Sequence, residues 1–106
     1  MIDITFHGGD ADSGNVFGVE TIASAGQVLE SHIHKHGHLS VLVSGTADVT
    51  IGGKTQRLTG YNVVIIPANT AHKVQSVTDM VWLCLWADDL VDEQQAIDSL
   101  KLITHG

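Results

Sequence analysis

An all-β sandwich or barrel is the fold class this sequence predicts, and three observations carry that prediction. Short runs rich in Val, Ile and Thr recur between glycine-bearing turns through most of the 106 residues. Gly52-Gly53 stands between two alternating segments in "VTIGGKTQR", the arrangement of a two-residue hairpin that demands positive φ. Pro67, the single proline, closes the run "NVVII". A proline cannot donate to a ladder, so it marks a strand end and the start of a turn.

In chain order the expected strands are residues 2–7, 15–24, 27–34, 38–44, 46–51, 54–59, 62–66, 71–77 and 79–86. Within "HLSVLVSG", strand periodicity puts His38, Ser40 and Leu42 on one face and Leu39, Val41 and Val43 on the other. Both faces are largely apolar, so the outer one should be covered by another sheet, the C-terminal helix or a second subunit. "MVWLCLW" is apolar on both faces as well, and Trp82 and Trp86 read as core or interface residues. Only the last segment leaves the β pattern. "LVDEQQAIDSLKLI" spaces Leu90, Ile97, Leu100 and Ile103 roughly helically, with Asp92 and Glu93 near its start and Lys101 near its end. A short C-terminal helix packed on the barrel is expected, and residues 1–106 read as one domain without repeat or linker.

Composition excludes several function classes. Hydrophobic residues make up 43% and charged residues 16%, too apolar for a disordered chain. The formal charge of -7 repels a phosphate backbone, so no nucleic-acid partner is expected. The N-terminus shows no basic and then apolar leader, no apolar run is long enough to span a bilayer, and the lone Cys84 cannot form an internal disulfide. These features fit a cytoplasmic protein with no membrane partner. Cys84 itself, with no charged or histidine neighbour in sequence, reads as a buried, inert thiol.

Chemistry concentrates in "SHIHKHGHLS", which carries His32, His34, His36 and His38, four of the seven histidines. Residues two apart on a strand share a face, so His32 and His34 form a two-point clamp for one ion. An unbroken strand would set residues 32 and 38 about 20 Å apart, beyond the reach of one metal. Gly37 offers a turn across 35–37 that returns His38 to the pair, although His36 competes with it. A distant candidate, His72, follows a strand, a proline and a tight turn in "IIPANTAHKV". His7 and His105, near the ends, read as ordinary surface residues.

The spacing Gly26, five residues, His32, one residue, His34, three residues, His38, six residues, Gly45 resembles the first cupin motif, in which glutamate usually stands at the position of His38. The second motif is matched more loosely by Gly60, Pro67, Asn69 and His72. One residue is added between Gly60 and Pro67, Asn69 replaces a glycine, and Ser76 falls where asparagine is common. Asparagine also tolerates the left-handed backbone that such a turn needs.

The resemblance spans residues 26 to 76 and implies a cupin barrel, the jelly roll or double-stranded β-helix, with His32, His34, His38 and His72 as metal ligands. Imidazoles suit Zn, Cu, Fe and Ni, and the sequence does not choose among the candidate divalent transition metals Fe, Ni, Cu, Zn and Mn. A small-molecule ligand or substrate and a homodimer, frequent among small cupins, are the implied partners. The activity it implies is a metal-dependent oxygenase acting on a small anionic or chelating organic molecule. The alternative is a non-catalytic binding module whose metal is structural.

Overall fold

The computed structural model describes residues 1–31 and 37–87. Nine strands build it: β1 (Ile2–Gly8), β2 (Val16–Ala23), β3 (Val28–Ser31), β4 (His38–Ser44), β5 (Thr46–Ile51), β6 (Lys54–Thr59), β7 (Asn62–Ile66), β8 (His72–Ser76) and β9 (Met80–Ala87). They form two antiparallel sheets, a five-stranded one in the order β1-β2-β9-β4-β7 and a four-stranded one in the order β3-β8-β5-β6. Each expected strand therefore has its counterpart within two residues where both ends are described, and the all-β jelly roll is the observed architecture. The expected helix over residues 90–103 and the end of the third expected strand lie outside the described residues.

The two sheets face each other across one apolar layer. Phe17 and Val19 of β2, Leu42 of β4 and Trp82 and Trp86 of β9 meet Leu29, Val49 and Val74 of the smaller sheet there. Alternation sends Leu39 and Val43 of β4 to the outer side, where they are exposed. Three cross-strand pairs zip the outer face of β5 and β6: Thr46 with Thr59 at 3.0 Å, Asp48 with Arg57 at 2.8 Å and Thr50 with Thr55 at 2.7 Å. The Arg57 guanidinium holds the Asp48 carboxyl below the usual carboxylate range. Among the described residues no helix is long and apolar enough to cross a membrane.

Turn chemistry fixes the register. Gly52 (φ 58°) and Gly53 (φ 82°) join Ile51 to its partner Lys54, the hairpin expected from their sequence. Asn69 takes φ 56° between β7 and β8, so asparagine does adopt the left-handed backbone where the motif usually has glycine. Gly45 combines a φ of 93° with close packing, because a β-carbon there would collide with the Asp79 carbonyl.

Candidate metal centre

His38 opens β4 and His72 opens β8, so the two side chains reach the barrel interior from opposite sheets. Alternation explains both directions: His38 shares its face with buried Ser40 and Leu42, and His72 shares its face with buried Val74 and Ser76. Their ring centroids lie 5.5 Å apart at an interplanar angle of 67°. With a metal–nitrogen bond of about 2.1 Å, two imidazoles sharing one ion hold their rings on the order of 5 Å apart. The observed pair fits that requirement.

The pair sits in a well-packed corner. The Trp86 ring lies 4.8 Å from that of His38, and the Ser40 hydroxyl is 3.3 Å from His38 Nδ1. That hydroxyl donates to Cys84 Sγ at 3.4 Å, and Trp82 Nε1–H donates to the same sulfur at 3.2 Å. With its hydrogen directed at Cys84, the Ser40 oxygen accepts from His38 Nδ1–H, which places the imidazole lone pair on Nε2. Burial pushes the Cys84 thiol up, and the hydrogen bonds from Ser40 and Trp82 offset only part of the effect. A protonated sulfur with two donors aimed at it is no metal ligand, which agrees with the inert thiol expected from sequence.

Of the four ligands that the sequence nominates, the described structure brings His38 and His72 together. His32 and His34 lie outside the described residues, as does His36. Among the described residues no group of three or more His, Cys, Asp or Glu side chains could hold a metal. Ser31 of β3 is the register partner of His72, and Gly37 directly precedes His38. Both ends of the histidine-rich stretch are thus anchored at the described pair.

Gly37 has a reason beyond the turn expected of it: a β-carbon there would lie 2.9 Å from the Ile66 carbonyl oxygen. His7 lies on the outer side of β1, 3.1 Å from Glu20, consistent with a surface role. His105 falls outside the described residues. The sequence reads Trp86 as a core or interface residue and Cys84 as a buried thiol, without linking either to the histidines. Their signal was the inward alternation of Trp82, Cys84 and Trp86, which becomes informative only once β9 is known to pair with β4.

A family model described as "Cupin domain" matches residues 18–86. No curated protein matches the sequence. Among solved structures, an RmlC-like cupin from Shewanella frigidimarina superposes with a TM-score of 0.74 at 18% identity, over 88% of this chain and 79% of that one. KdgF from Halomonas sp. gives 0.64 at 23% identity, over 85% and 82%. A predicted oxalate decarboxylase from Thermotoga maritima gives 0.69 at 13% identity, over 79% and 77%. At these identities the structural likeness speaks for the fold alone.

Proposed function

The chain belongs to the cupin family, and from that premise we propose that it binds one divalent transition-metal ion through His32, His34, His38 and His72 and oxidises a small anionic or chelating organic molecule. One observation carries the proposal: His38 and His72 converge from opposite sheets at 5.5 Å, and the stretch bearing the other two histidines begins and ends beside them. A bound ion would supply Lewis acidity and, if redox-active, electrons for dioxygen.

The chain's own contribution follows from its ligand types. Four neutral imidazoles leave a divalent site one charge unit more positive than the commoner cupin set with its glutamate. Anionic oxygen ligands such as a carboxylate or enolate are favoured accordingly. The same substitution removes a carboxylate that could take a proton, so base-driven chemistry is disfavoured and the substrate's own acidity matters more. Ser40 orients the His38 ring, and Trp86 packs against it on the interior side. Oxalate, in the description of one fold neighbour, is a ligand of the small chelating class, though that likeness does not transfer the substrate.

Elemental analysis of the purified protein, with X-ray absorption at the metal found, tests the reading. A redox-active ion with five or six ligands, at least one of them exchangeable, is the expected result. Four-coordinate zinc with nitrogen ligands alone would close the shell and favour the structural role. Protein that stays metal-free after incubation with each candidate ion would overturn the site.

A further inference from the structure

A second feature of the barrel lies along the seam between the two sheets. β6 ends the smaller sheet and β7 ends the larger one, and neither is the other's hydrogen-bonding neighbour. A cavity of about 410 Å³ fills the gap, within the size range of small-molecule sites. Its inner wall is apolar, formed by Val49 and Ile51 of β5, Leu58 of β6 and Val64 of β7.

Strand β6 is unusual at this wall. Its register partners Ile51, Val49 and Ala47 belong to the core-facing side of β5, so Lys54, Gln56 and Leu58 occupy the inward side of β6. Two of those three positions, Lys54 and Gln56, are polar and exposed, as the open edge of the sheet allows. The outward positions Thr55, Arg57 and Thr59 are all paired with β5, as described above. Among the described residues the Lys54 ammonium and the Gln56 amide make no side-chain hydrogen bond or ion pair, and both line the cavity. Lys54 thus presents an exposed ammonium at the rim of an apolar cleft. It occurs in a chain of net charge -7, where an anion needs a specific cation to be held.

We propose that the β6–β7 seam binds a small amphipathic carboxylate, its hydrocarbon body on Val49, Ile51, Leu58 and Val64 and its carboxylate on Lys54, with the Gln56 amide as a second donor. The ammonium supplies a charge-assisted hydrogen bond, and the apolar wall removes the alkyl chain from water. Ile51, at one end of this cleft, is the register partner of His72, but none of the groups invoked here is a proposed metal ligand, so the inference does not rest on the metal reading.

Octanoate is the probe, titrated into chelator-treated protein and followed by backbone amide NMR. Saturable shifts are expected at residues 54–58 and 62–65, with affinity about tenfold weaker in Lys54→Gln and largely restored in Lys54→Arg. Gln56→Trp, at an exposed position that should not disturb folding, is expected to fill the cleft and abolish the shifts. 1-Octanol should bind at least tenfold more weakly than octanoate. Absence of saturable shifts, shifts confined to His38 and His72, or equal binding of octanoate by wild type and Lys54→Gln would each overturn the proposal.

Discussion

Ser76 shows how one side chain can stand in for another in a motif. At a position where cupins commonly carry asparagine, its buried hydroxyl accepts from the Gln27 N–H at 2.9 Å and donates to the Ser24 carbonyl at 2.6 Å, fastening the β2–β3 turn to β8. Ser76→Ala leaves both partners short of a hydrogen bond and should cost about 1–3 kcal/mol in denaturant unfolding. Cys84 sets a pH dependence of opposite character to that of a salt-bridged acid. Its folded pKa is raised above the unfolded value of about 8.5, so its contribution is complete below that pH and is lost as pH rises through the folded value. Stability should decline on the alkaline side, and Cys84→Ala should flatten that decline whatever its cost at neutral pH. At the histidines, His72→Ala should sharply reduce metal content with the barrel still folded, whereas His7→Ala should leave it unchanged. Equal metal content in the two variants would sink the ligand assignment.

At the scale of elements, the turns separate two reasons for glycine. Gly53 has φ 82° with open space where a β-carbon would go, so Gly53→Ala carries only the conformational penalty, about 1–2 kcal/mol. Gly45→Ala adds a collision with the Asp79 carbonyl and should lower the melting temperature considerably further. The first of these was readable from "IGGK", because a two-residue hairpin between alternating strands leaves little other choice. The second was visible only as a motif position, since nothing local announces that β9 will pass so close. The strand pattern was legible for the same reason as the hairpin: alternation and turn residues are local. The candidate site was legible in part. His38 and His72 were nominated through the resemblance to the cupin motifs, and the structure sets them side by side, while Trp86 and the Ser40–Cys84 contact depend on which strands become neighbours, and a single sequence does not encode that locally.

Across the whole molecule the two sheets treat their outer faces differently. The smaller one is closed by polar cross-strand pairs, whereas the larger one exposes Leu39 at 40%, Val63 at 53% and Ile65 at 71% on adjacent strands. Among the described residues the smaller sheet covers only the inner side of β4, and no other sheet lies on its outer side. A contiguous apolar face of this kind marks an interaction surface rather than a solvent boundary. We propose that a second copy of the chain covers it. The patch is self-complementary in character, with apolar side chains on both strands and little charge to repel a twin, as a two-fold interface requires. A stable contact needs about 800 Å² from each partner, and the outer face of a five-stranded sheet is broad enough to provide it. Sedimentation velocity should therefore find a dimer at micromolar concentration. Ile65→Asp, on the exposed side of an edge strand, should yield a monomer with an unchanged far-ultraviolet spectrum. A wild-type protein that sediments as a monomer would remove the second copy as the cover.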